Sequence, residues 1–340
     1  MNRSHSKVIG VDIGGANLKF ATSDGDGWST SFPMWSRPAE LKCAIVQQLN
    51  SCTTAIPCRA LAVTMTGELA DCFRDRGVGV RHIVQHTVDA AKRCGIDQVW
   101  FYGVDGQFHT PQQAKQRVDQ IAAANWHALA SYVAKRLAGD GLLIDVGSTT
   151  TDLIPLSGGR VATDAKTDFD RLKEGSLVYV GCRRTPVCAL VDTLPYQHDC
   201  VAVMNEVFAT IDDAMLLLGH CREVDDETDT ADGMPRTIEQ ARNRMARMIG
   251  LDHRHLTLDE AQQMAKAVFE AAKQRIAEAR GRLLVAGPII LSGHGEPLAA
   301  EENRFPEQGE HVIRLADHLH LETVRCAPSL AVARLYETVD

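Results

Sequence analysis

The chain has 340 residues, 45% hydrophobic and 24% charged, the proportions of an ordinary globular enzyme long enough for two domains. Its formal net charge of −8 argues against a nucleic-acid binder, which would carry a basic stripe, but allows an anionic substrate held by a local glycine-rich turn. Ten cysteines are present without a C-x-x-C pair, and neither Cys52 with Cys58 nor Cys182 with Cys188 has zinc-ribbon or disulfide-scaffold spacing.

The start, MNRSHSKVIGVDIGG, has no signal-peptide core because Gly10 and Asp12 break its apolar run, and no stretch is long enough to span a bilayer. Reduced thiols in a cytoplasmic enzyme are the expectation. Residues 7–14, 17–23 and 27–34 read as short β segments joined by turns at Gly14–Gly15 and at SDGDG. A helix follows Pro38 to about Asn50; ALAVTMTG is a buried strand, 79–94 a helix and QVWFYG another strand. One long helix is expected next, capped by Thr110 with Pro111 and Gln113 and stopped at Gly139.

The second half replays this order. LLIDVG, TTDLIPL and GRVAT are three strands, and Thr237 with Gln240 and Thr257 with Glu260 cap two helices. GPIILSG and HVIRLA are strands, and SLAVARLYETV is a closing helix. Between about 165 and 235 the pattern breaks down, which predicts an inserted subdomain. The expected architecture is α/β and two-lobed, with duplicated β-β-β-α-β-α-β-α units over 1–139 and 140–340 and a ligand cleft between them.

KVIGVDIGGANLKFA and GLLIDVGSTTTDLIPL superpose with Asp12 on Asp145, Gly14 on Gly147, Asn17 on Thr150 and Lys19 on Asp152. A glycine turn after a strand aims successive N–H groups the same way and makes a nest for phosphate oxygens. Gly14, Gly15 and Gly147 admit that close approach, Asn17 follows the first turn, and Ser148, Thr149 and Thr150 add hydroxyl donors at the second. Asp12 and Asp145 each end a buried strand at the cleft mouth, where hard carboxylate oxygens suit Mg²⁺ bridged to phosphate. Lys19 attracts the anion; Asp152 would orient a water, the metal or a substrate proton. A plain pair of glycine-turn hairpins is the alternative, and the recurrence at matching places favours the phosphate clamp.

These residues resemble the actin, sugar kinase and Hsp70 superfamily. VDIGGANLKFA is similar to its first phosphate loop, IDVGSTTTDLIPL to its second, and GPIILSGHGEPLA, with Gly293, His294 and Gly295, stands where it places an adenosine loop. The resemblance implies an actin-like ATPase (ribonuclease H-like) fold. TMTGELAD, ANWHA, EGSLVYVGCRRTPV and TADGMPRTIEQARNRMARMIG resemble the hydantoinase A/oxoprolinase branch, most of all its subgroup tied to tetrahydromethanopterin- and methanofuran-linked one-carbon metabolism. That subgroup implies a furanmethanamine synthase, which joins an aminomethyl-furanmethanol diphosphate to the phenol of γ-glutamyl-tyramine and releases diphosphate. A phenol of pKa about 10 needs a base, for which Asp152 and Glu68 are the candidates. The implied cofactor is Mg²⁺ and the implied partners are these two small molecules, with a homodimer left open. Two rivals remain: an ATP-dependent kinase or ATPase of the same fold, and a nucleotide-sensing partner protein without catalysis.

Other residues carry weaker signals. Asn125 falls on the buried face of the long helix, with Val118, Ile121, Ala122, Leu129 and Val133, and either binds substrate or ties elements together. Arg183 and Arg184 suit a carboxylate or phosphate, such as the glutamyl carboxylate, or an ion pair between elements. Cys182 and Cys188 read as inert. The pairs His82/His86, His253/His255 and His318/His320 lack a third metal ligand at suitable spacing, whereas His294 should border the cleft. The acidic run EVDDETDTADG reads as a solvated loop.

Overall fold

The computed structural model describes residues 7–53, 58–283, 285–300, 312–319 and 321–338; His311, at the start of an expected strand, and His320 lie outside them. In the first lobe β1 (Lys7–Ile13), β2 (Asn17–Thr22) and β3 (Gly27–Ser31) form an antiparallel meander. Then α1 (Leu41–Thr53) leads to β4 (Cys58–Met65), parallel to β1, and α2 (Arg76–Arg93) leads to β5 (Gln98–Tyr102), parallel to β4. A short β6 (Phe108–His109), absent from the sequence reading, closes the edge, giving the order β3-β2-β1-β4-β5-β6. As the central strand, β1 is buried almost throughout, which explains its continuous apolar run.

The single helix expected between Thr110 and Gly139 is three pieces: α3 (Pro111–Gln116), α4 (Val118–Ile121) and α5 (Asn125–Arg136). Thr110 and Gln113 do form the capping box. The run breaks at Arg117 (φ −104°, ψ 49°) and again at Ala123, whose φ of 47° is left-handed. Asn125 therefore opens α5 instead of sitting inside a long helix, and its Oδ1 accepts from the N–H of Trp126 at 2.8 Å.

The second lobe contains β7 (Gly141–Val146), β8 (Thr151–Ser157), β9 (Arg160–Val161), α6 (Asp168–Glu174) and β10 (Leu177–Val178). They are followed by the hairpin β11 (Thr193–Tyr196) and β12 (Asp199–Ala202), then α7 (Ile211–Leu217), α8 (Ile238–Arg247), α9 (Leu258–Arg282), β13 (Ile289–Ser292), β14 (Val312–Arg314), α10 (Leu321–Arg325) and α11 (Ala327–Glu337). The strand order β10-β8-β7-β13-β14 repeats that of the first sheet. The third strand, expected at GRVAT, is divided: β9 pairs with Leu156 and Ser157 of β8, β10 pairs with Asp152 and Thr151, and α6 bulges out between them. The segment 165–235 has no core of its own; Val187, Leu194 and the wholly buried α7 share one apolar cluster with α8, α9 and β7.

The lobes exchange their closing helices. α5 packs on β8 and β9 of the second sheet, α11 packs on β1, β2 and β4 of the first, and the two helices meet each other. One apolar cluster therefore joins Val8 and Ala62 to Leu143 and Ile154 through Trp126, Leu129, Ala331 and Val332. Burying these faces against each other fixes the two sheets side by side.

Candidate active site

The duplication holds to the level of single residues. Asp12 faces Lys19 across β1–β2, and Asp145 faces Asp152 across β7–β8. Along the parallel side, Asp12 neighbours Thr64 and Asp145 neighbours Ser292. Each turn closes identically: the Gly14 N–H donates to the Asn17 carbonyl at 3.0 Å, and the Gly147 N–H to the Thr150 carbonyl at 2.9 Å.

Two further glycines, Gly67 and Gly181, back these turns. The Gly67 N–H donates to the Ile13 carbonyl, and a β-carbon at Gly67 would fall 2.8 Å from the Gly14 carbonyl oxygen. A β-carbon at Gly181 would lie 2.5 Å from the Ser148–Thr149 backbone, and the N–H groups of Cys182, Arg183 and Arg184 donate to the carbonyls of Gly147 and Ser148. Their signals were the TGE and VGC triplets, where only glycine permits such backbone contact.

Asp12 is 3% exposed, and burial pushes its carboxyl up to about 6; Lys19 pulls it down and Asp145 pushes it up. Burial also raises Asp145, against the opposing pulls of Ser292 and Lys19. Lys19 thus acts on a carboxylate from each lobe, and the first carboxylate feels the second. Asp12 Oδ1 has no hydrogen-bond partner. Two crowded carboxylates with an open oxygen suit a divalent cation. Among the described residues no three His, Cys, Asp or Glu side chains cluster as a metal cage, so a cation here would complete its shell with water and phosphate, as Mg²⁺ does.

Glu68 is near enough to Asp12 to feel its charge. It is 1% exposed, its Oε2 has no partner, and burial lifts its carboxyl to about 7, with Arg76 lowering it and Asp168 and Asp12 raising it. Asp152 has a different setting. Its carboxylate is ion-paired with Arg171, which is 2% exposed, also reaches Asp168 at 3.3 Å, and lies 4.4 Å from the ring centre of Trp126. Burial lowers the Arg171 guanidinium to about 9. The α6 helix that delivers Arg171 was missed in sequence, although Thr167 and Asp170 make a capping box there.

His294 reaches the second turn, with Nε2 3.0 Å from Ser148 Oγ. Its side chain is exposed, and desolvation by the surrounding protein together with the charges of Lys19, Arg325 and Arg183 lowers it to about 3. Gly293 and Gly295 seat this loop on Val146. Arg183 is taken up by Glu227 and, at 3.7 Å, by Asp212. The acidic run is accordingly no free loop: Glu227, Asp229 and Asp232 answer Arg183, Arg184, Arg244 and Arg247, and Arg236 grips Asp212 at 2.6 Å. His82 and His86 stack with ring centres 4.0 Å apart, and burial pushes the Cys182 thiol up to about 12, which keeps it inert.

Residues 59–286 match the hydantoinase/oxoprolinase family. The chain belongs to the hydantoinase/oxoprolinase family. It is 31% identical over 336 residues, 97% of each chain, to a protein of Methanocaldococcus jannaschii named (4-{4-[2-(gamma-L-glutamylamino)ethyl]phenoxymethyl}furan-2-yl)methanamine synthase. A protein of the same name from Methanococcus vannielii is 27% identical over 212 residues, 61% of this chain and 95% of that one. Among solved structures, this hydantoinase/oxoprolinase family member is similar to the activator of 2-hydroxyisocaproyl-CoA dehydratase from Clostridium difficile, at 11% identity and a TM-score of 0.43 over 98% of this chain and 96% of that one. It is also similar to component A of the (R)-2-hydroxyglutaryl-CoA dehydratase of Acidaminococcus fermentans, at 10% identity and a TM-score of 0.45 over 98% of this chain and 100% of that one. Among the described residues no helix is long and apolar enough to cross a membrane.

Proposed function

We infer that this family member is a Mg²⁺-dependent transferase of methanofuran-type cofactor biosynthesis. It joins an aminomethyl-furanmethyl diphosphate to the phenol of γ-glutamyl-tyramine and releases diphosphate. The relatives' name describes the product, an aryl ether between a phenol oxygen and a furan-methyl carbon. The observation that carries the reading is Lys19 acting on both Asp12 and Asp145 between twin glycine turns. That arrangement suits a diphosphate and a divalent cation held between the lobes.

In this reading the carbon–oxygen bond to diphosphate breaks with its electron pair leaving on the phosphate oxygen. Lys19 and the N–H groups of the two turns stabilise the growing negative charge. Bound Mg²⁺, held by Asp12 and Asp145, would add Lewis-acid charge at the same oxygens. The phenol oxygen forms the new bond to the furan-methyl carbon, and its proton passes to Glu68. A carboxylate near 7 is better matched to that proton transfer than one at the ordinary value. Asp152 is already committed to Arg171, so it acts as a positioning residue for α6.

The test supplies purified protein with Mg²⁺ and either ATP or the furanmethyl diphosphate with γ-glutamyl-tyramine, and assays phosphate, diphosphate and the ether. Acceptor-dependent diphosphate release without ATP is the expected result. ADP and phosphate from ATP alone would replace this reading with a kinase or ATPase, and no product from either mixture would favour a nucleotide sensor.

A further inference from the structure

Each glycine turn carries a short rider segment. On the first lobe, the N–H groups of Phe32 and Met34 donate to the carbonyls of Ala16 and Gly15 at 2.9 Å, which fixes the next residue, Trp35, beside the first turn. On the second lobe, Arg184 is fixed to the second turn through its N–H bond to Ser148 at 2.9 Å. The two side chains meet, with the Arg184 guanidinium 5.7 Å from the Trp35 ring centre, and so link the segments held on the two turns. Trp35 is 47% exposed, an unusual state for so large an apolar ring. Arg183 turns inward to Glu227 and Asp212; Arg184 turns outward and, besides its approach to Trp35, makes a loose contact, 3.6 Å, with Asp229, which is 75% exposed.

We propose that Trp35, Arg184 and Asp229 form a rim subsite that recognises the free α-amino-acid head of the acceptor. The proposal rests on the ether-forming reading above. A γ-linked glutamyl group uses its side-chain carboxyl for the amide and keeps its α-carboxylate and α-ammonium free. The phenolic end of so elongated a molecule must reach the buried carboxylates, so the zwitterionic head stays at the mouth. Arg184 offers a forked donor to the carboxylate, and Asp229 an acceptor to the ammonium. The exposed pair between them is weak, so a ligand of the same charge pattern opens it readily. Trp35 supplies a flat face for the stem.

The experiment compares three acceptors: γ-glutamyl-tyramine, glutaryl-tyramide (carboxylate without ammonium) and tyramine (neither). In Arg184→Ala the KM for the first two should rise roughly 10-fold or more, with the KM for tyramine, the KM for the diphosphate and kcat unchanged, and Arg184→Lys should recover part of the loss. Asp229→Asn should raise the KM for γ-glutamyl-tyramine alone. Equal shifts for all three acceptors, or none, would overturn the subsite. If the unaltered protein forms no ether with any acceptor, the proposed reaction fails by itself, and the subsite is then decided by fluorescence. Quenching by γ-glutamyl-tyramine but not tyramine, lost in Trp35→Phe, keeps it; absence of that difference removes it.

Discussion

Asp12 and Asp145 hold the same register position in the two sheets, and the same lysine, Lys19, acts on both. The carboxylates have opposite cross-strand partners, a cation for Asp12 and an anion for Asp145. The second anion is neutralised from outside the hairpin, by Arg171 of α6. Lys19 thus stays with a pair of acids, one from each sheet.

Asp12→Asn and Asp145→Asn should each lower turnover by about 100-fold or more and weaken pyrophosphate binding in the presence of Mg²⁺. Lys19→Met should weaken pyrophosphate binding with or without the metal. Calorimetry decides this, and pyrophosphate affinity unchanged in all three variants would remove the clamp.

In the proposed reaction Glu68 would set the pH dependence. Its carboxyl lies at about 7 in the fold, so the ionised base is gained as pH rises through that value. The rate should climb on the acid side of neutrality and level off above it. Glu68→Gln should lose most of the rate together with this limb. A variant that keeps both would transfer the proton to another acceptor.

Asp152→Ala leaves the Arg171 guanidinium buried with one anion fewer, and breaking such a pair costs about 3–5 kcal/mol. A clear drop in Tm is expected, larger than for Asp152→Asn. Full thermal stability with lost activity would instead return Asp152 to a chemical role.

His127 predicts the acid limb of stability. It is buried against Tyr102 and Ser131, at 3.0 and 3.3 Å, and burial lowers it to about 4 from an unfolded value near 6.5. Between those values the unfolded chain binds the extra proton, so stability is full above about 6.5 and falls as pH drops toward 4, by on the order of 3 kcal/mol. His127→Gln should flatten denaturant midpoints over this window. Parallel curves for the two proteins would refute the assignment.

Gly181→Ala drives a methyl into the Ser148–Thr149 backbone. Such overpacking costs about 1–3 kcal/mol, and the second turn should shift enough to weaken pyrophosphate binding roughly 10-fold. Binding titrations at matched folded fraction check it; unaltered affinity would mean that the turn tolerates the intrusion.

The repeated half-chains were legible because periodicity and turn chemistry are local. β1, β2, β7 and β8 with their glycine turns announce themselves in consecutive residues, as do the caps at Thr110 and Thr257. What stayed hidden depends on distant contacts. Nothing near Asp152 tells that Arg171 will claim it, because α6 leaves the sheet between two fragments of one strand. The acidic run looked solvated because its arginine partners lie in α8 and in the loop before Thr185. The break before Asn125 was invisible for another reason. An alanine run favours helix, yet the buried Ala123 takes a left-handed backbone.

The crossing of α11 onto β1 and β2 has a biosynthetic consequence. Ser329 hydroxyl donates to the Lys19 carbonyl and Arg334 to that of Ser23, so the earliest sheet is roofed by a helix translated some three hundred codons later. A ribosome-bound nascent chain must carry the bare apolar floor of that sheet through nearly all of synthesis, where chaperones would meet it. Stalling just before Ala327 should therefore yield an aggregation-prone intermediate, and completing the last helix should release it.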